Sequence, residues 1–84
     1  MHKMKPIGMY LQEMRMENSL TQSDVAKVIG VSTPQNISNV ERGVSPIPFD
    51  HLEEWVSFIG ANKNTVMKLL MNNYRKKVRK GLGL

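Results

Sequence analysis

The feature that most limits the fold is a helical apolar period that recurs along the chain and is repeatedly cut by residues hostile to helix. Ile7, Tyr10, Leu11 and Met14 stand at i, i+3, i+4 and i+7, a spacing that lines one face of a helix. Pro6 precedes them, where a helix start tolerates proline, so a first helix is expected over residues 6–17, with Asn18-Ser19 as its exit. Thr21 suits an N-cap and Asp24 stands at the capping-box position. Val25, Ala26 and Ile29 then face one way until Gly30, which predicts a short second helix over 22–29. No segment alternates like a strand, so the expected class is all-α.

A third helix is expected from Pro34 to the stop at Gly43. Thr33 would cap it, and proline at the first helical position loses nothing by lacking an N–H. Val44-Ser45-Pro46-Ile47-Pro48 reads as a loop. Leu52, Trp55, Val56 and Ile59 mark a fourth helix over 49–59, stopped by Gly60. A fifth helix is expected to begin at an Asn64 cap and run to Lys80, with Gly81-Leu82-Gly83-Leu84 fraying. The chain of 84 residues fits one small domain, which buries a modest core and gains from dimerisation.

Several chemistries find no residues to carry them. There is no cysteine, so disulfides and thiolate metal sites are excluded. His2 and His51 stand far apart without ligand-like neighbours and read as surface residues. Glu53 and Glu54 are adjacent and cannot face one another on a helix. No Ser/His/Asp set or phosphate loop is present, so an enzyme is not expected, nor is any cofactor or small-molecule ligand. No apolar run is long enough to cross a membrane, and no leader is apparent, so a soluble cytoplasmic protein is expected.

The net charge of +5 suggests an anionic partner. Its distribution is uneven: residues 1–62 hold five Lys/Arg against seven Asp/Glu, and residues 63–84 hold seven Lys/Arg and no acid. A row of uncharged amides points more directly to nucleic acid. At about 100° per residue, Gln35, Asn39, Arg42 and Ser38 share one side of the third helix, with Asn36 at its margin. Ile37 and Val40 lie opposite, with Glu41 toward that side. Gln and Asn form paired hydrogen bonds to adenine in the major groove, and Arg does so to guanine or contacts phosphate. Two short helices joined by a tight turn, with small Ala26 where they would cross, complete a helix-turn-helix pattern over about residues 21–43.

Leu20-Thr21-Gln22, Val25-Ala26, Ile29-Gly30-Val31-Ser32, Ile37-Ser38 and Val40-Glu41-Arg42-Gly43 resemble the Cro/cI-type (XRE-like) helix-turn-helix regulators, over about residues 7–70. Between Ser32 and Ile37 stand four residues where that family usually has three. The extra residue is assigned to the turn, at Ser32 or Thr33, because Pro34 fixes the helix start. The resemblance implies a compact five-helix fold, here with an extended C-terminal helix, and double-stranded DNA as partner. It implies base reading by Gln35, Asn36 and Asn39, and backbone contacts by Gln22, Ser32, Thr33, Ser38 and Arg42. It also implies an ion pair between Arg15 and Glu41 tying the first helix to the third.

Met67, Leu70, Met71, Tyr74 and Val78 form a stripe longer than a domain of this size needs. An exposed apolar stripe marks an interface, so a homodimer through residues 49–80 is expected. The run Arg75-Lys76-Lys77-Val78-Arg79-Lys80 reads as a solvated helix end, favoured by the helix dipole, in preference to a DNA contact. The expected function is a sequence-specific regulator, acting as a repressor on a palindromic operator. The alternative is a protein-interaction module of the antitoxin or regulatory-subunit kind that uses the same fold without reading DNA.

Overall fold

The computed structural model describes residues 5–30 and 33–84. It comprises α1 (Ile7–Glu17), α2 (Gln22–Ile29), α3 (Pro34–Glu41), a 3₁₀ turn (Phe49–His51) leading into α4 (Leu52–Phe58), and α5 (Lys63–Gly81). All the regular structure among the described residues is helical.

The helix starts follow local chemistry. Thr21 Oγ1 accepts from the Asp24 N–H at 3.0 Å, and the Asp24 carboxylate accepts from the Thr21 N–H at 2.8 Å. Each side chain thus satisfies a backbone donor that the first turn leaves free. Thr33 Oγ1 accepts from the Asn36 N–H at 3.2 Å, with Pro34 as the first residue of α3.

The hydrogen bonds from Thr21, backbone first and hydroxyl second, hold the Asp24 carboxyl below its ordinary value of 3.8, with Lys27 adding to the effect. A carboxyl lowered by folding contributes stability above its unfolded pKa and loses it as pH falls through the folded value. The stability gap between wild type and Asp24→Asn is therefore expected to be flat above about pH 5 and to shrink progressively below it. Urea denaturation across that range checks this.

Three boundaries differ from the sequence expectation. Pro6 is the N-cap of α1, not its first residue. The first turn of the fourth helix is 3₁₀, and Ile59 is its C-cap. Asn62, not Asn64, caps α5: Asn62 Oδ1 accepts from the Thr65 N–H at 2.9 Å, which leaves Asn64 inside the first turn. The end of α5 also differs, because residues 81–84 form a closed cap instead of fraying. The Leu84 N–H donates to the Arg79 carbonyl at 2.9 Å and the Gly83 N–H to the Lys80 carbonyl at 3.1 Å. Gly83 takes φ +75°, the left-handed conformation that such a cap requires.

Leu11, Val25, Ile37, Trp55 and Ile59 are fully buried and bring α1, α2, α3 and α4 to one core. Ala26 is 5% exposed and belongs to this core, and α2 packs on α3. Gly8 is buried in α1 beside the last turn of α3, where a Cβ would lie 2.5 Å from the Val40 and Glu41 carbonyl oxygens. Asn18 joins α1 to α4, donating to the carbonyls of Met14 at 2.9 Å and Ile59 at 2.7 Å. The Asn62 N–H donates to Tyr10 Oη at 3.0 Å, which seats the start of α5 on α1. No helix among the described residues is long and apolar enough to cross a membrane.

Candidate nucleic-acid interface

α3 buries Ile37, Val40 and Glu41 and leaves Pro34, Gln35 and Asn36 exposed, with Ser38 and Asn39 half-buried. Gln35 Nε2 donates to Asn39 Oδ1 at 3.0 Å, and Arg42 Nη2 donates to the same oxygen at 2.8 Å. Residues at i, i+4 and i+7 thus form one row, as the helical repeat allows. Gln35 keeps its Oε1 and its second N–H free of these contacts. That donor and acceptor are the pair an adenine edge matches.

Asn36 stands apart from this row. It borders a cavity of about 240 Å³ with Val40, Pro46, His51 and Trp55, so it flanks the amide face instead of completing it. His51 is half-buried there, which corrects its reading as a surface residue. Thr33 spends its oxygen on the Asn36 N–H, and its hydroxyl proton remains to donate outward. Ser32 lies outside the described residues. Lys27 and Arg42 are exposed cations. Lys5 is paired with Glu13, and Lys3 lies outside the described residues.

Beneath the row, α3 is fixed by a buried polar cluster. Arg15 Nε donates to Glu41 Oε2 at 2.7 Å and Arg15 Nη2 to Oε1 at 3.2 Å. The two residues are 8% and 5% exposed. Arg15 Nη1 also donates to the Leu20 carbonyl at 2.8 Å, so one guanidinium joins α1, the turn before α2, and α3. Planar, two-point pairing is the strong form of this interaction.

Gln22 belongs to the cluster as well. Its Nε2 donates to Glu41 Oε1 at 3.1 Å. The side chain that sequence reading assigned to the DNA backbone is thus partly spent inside the protein. Its second N–H and the free backbone donors of the first turn of α2 remain for an anion. Sequence reasoning gave no hint of this bond, nor of the close approach at Gly8. The one available signal for Gly8 was a glycine within a helical pattern, which often marks tight packing.

The stripe on α5 divides. Leu70 is half-buried against the core, while Met67, Met71, Tyr74 and Val78 are exposed by 64%, 57%, 67% and 42%. Met67, Met71 and Tyr74 border a groove that Phe49, Leu52 and Glu53 also line.

Residues 11–62 match a protein-family model described as Helix-turn-helix. No curated protein and no solved structure shows significant similarity to the chain.

Proposed function

The chain belongs to the Cro/cI-type helix-turn-helix family of DNA-binding, non-enzymatic transcription regulators, and from that premise we propose that it is a cytoplasmic repressor binding a palindromic operator as a homodimer. α3 enters the major groove. Gln35 and Asn39 read base edges, with Asn36 at the margin. Arg42, Ser38, Thr33, Ser32 and the start of α2 at Gln22 hold the phosphates on either side. A two-fold dimer sets two such helices about one DNA turn, ~34 Å, apart. Covering a promoter in this way excludes polymerase, and the reading needs neither a cofactor nor a small-molecule signal.

The observation that carries this reading is the hydrogen-bonded row Gln35–Asn39–Arg42 on the outer face of α3. A polar face kept only for solubility has no need of ordered amides. Here each amide is held by its neighbour, and rigid positioning is what discrimination between bases requires.

Two substitutions separate reading from holding. Gln35→Ala is expected to cost about 1–3 kcal/mol of preference for the operator over a mismatched site. Arg42→Ala is expected to weaken both sites alike and to lower the slope of log K against log salt by about one. Fluorescence-anisotropy titrations on both duplexes measure this. An equal loss on both sites for Gln35→Ala would contradict the base-reading role.

A further inference from the structure

α5 carries more positive charge than the fold explains. Lys68, Arg75 and Arg79 stand at i, i+7 and i+11, which puts them within about 40° of one another at about 100° per residue. Lys76 and Lys80 flank that row, and all five side chains are exposed. Lys77 lies apart from it and borders the groove that Glu53 also lines. α5 contains no acid, and none of the five makes an ion pair among the described residues. From Tyr74 onward every residue of the helix and its cap is exposed.

The sequence suggests a solvated helix end favoured by the dipole. That effect falls off within the last turn. It covers Arg79 and Lys80 and leaves Lys68, Arg75 and Lys76 unexplained. Arg75 with Arg79, and Lys76 with Lys80, are also like-charged pairs at i and i+4, an arrangement that destabilises a helix. A helix end kept only for solubility gains nothing from such pairs, whereas an anion laid along the row offsets their repulsion.

We infer that this row lies along the phosphate backbone of duplex DNA, beyond the bases that α3 reads. The inference rests on the DNA-binding reading above and deepens it. Residues 1–62 hold five Lys/Arg against seven Asp/Glu. Of those cations, Lys5 is paired with Glu13 and Arg15 with Glu41, and Lys27 and Arg42 are exposed. Sequence-independent affinity comes from neutralised phosphates, and a body with more acids than bases is poorly made to supply it. Length favours a duplex as the anion. From Lys68 to Lys80 the helix rises about 18 Å. One strand of B-DNA presents about five phosphates over that length of axis, and the row with its flanks holds five cations. Contacts to phosphate carry no sequence information, so α5 holds the duplex and α3 selects the site.

Neutralising exposed side chains tests this without touching the apolar stripe of Met67, Met71, Tyr74 and Val78. The variant is Arg75→Gln/Lys76→Gln/Arg79→Gln/Lys80→Gln, since glutamine forms helix about as well as lysine and arginine. The probe is a 20-base-pair duplex of unrelated sequence, titrated by fluorescence anisotropy across a salt series. The slope of log K against log salt is expected to fall by about two to four, and affinity at low salt by at least about tenfold. Arg42→Ala, measured beside it, lowers the slope by about one. Circular dichroism confirms that the variant is folded. A slope and affinity equal to wild type would overturn the inference. Binding of the wild type, but not the variant, to vesicles containing phosphatidylserine, with the DNA slope unchanged, would overturn it too and assign the row to a membrane surface. Selection from random duplex DNA keeps the two readings distinct. A variant that loses slope while the wild type enriches no sequence would leave the α5 contact standing and remove base reading. An unchanged slope with a palindrome enriched by the wild type would do the reverse.

Discussion

Glu41→Ala is expected to remove about 3–5 kcal/mol of stability, the largest loss we predict for a single side chain. The carboxylate is 5% exposed and accepts from Arg15 at 2.7 and 3.2 Å and from Gln22 at 3.1 Å. Alanine leaves the Arg15 guanidinium, 8% exposed, with one carbonyl as its remaining partner in the cluster. An uncompensated buried charge costs far more than a lost surface pair returns. Small domains have only about 5–15 kcal/mol in total, so the variant is expected to melt at least about 12 °C lower. Replacing both partners with apolar residues of similar volume, as in Arg15→Met with Glu41→Leu, should recover much of the loss, because no charge then stays buried. Melting within a degree or two of wild type for Glu41→Ala would contradict the buried pair.

Gly8→Ala is expected to destabilise the protein by about 1–3 kcal/mol, although alanine is the better helix former by about 1 kcal/mol. The added Cβ would stand 2.5 Å from two carbonyl oxygens and 2.9 Å from the Glu41 carbonyl carbon. These are backbone atoms of the last turn of α3, so no rotamer change relieves the contact. α3 has to move relative to α1, which also pulls on the Arg15–Glu41 pair. The consequence reaches DNA, since the moved helix is the one that carries Gln35 and Asn39. Operator affinity should fall more than affinity for unrelated DNA. Thermal denaturation and anisotropy titrations measure the two effects. A variant as stable as wild type would show that α1 and α3 are not in such close contact.

Much of this architecture was legible in the sequence because its signals are local. Thr21 with Asp24, Thr33 with Pro34, and Gly30 and Gly43 each mark a helix end through bonds within a few residues, and α2 and α3 fall where those signals put them. The amide face was legible for the same reason, since it follows from the helical repeat alone. What escaped were contacts between distant segments. Gln22 meeting Glu41 and Gly8 meeting the α3 backbone depend on how the helices cross, which no short window encodes. The cap of α5 was misplaced by two residues because Asn62 and Asn64 both suit the role, and only the Thr65 N–H decides between them. The closed end at Gly83 was missed because two glycines in the last four residues read equally as disorder and as a stop.

The central claim is that the Gln35–Asn39 row reads sequence. Selection from a pool of random duplex DNA by the wild-type protein and by Gln35→Ala/Asn39→Ala tests it most directly. We expect the wild type to enrich a palindrome with half-sites about one turn apart, and the folded double variant to lose that preference while keeping weak, salt-sensitive binding. Equal enrichment by both proteins, or weak binding without preference by both, would show that the amide face is not a reader.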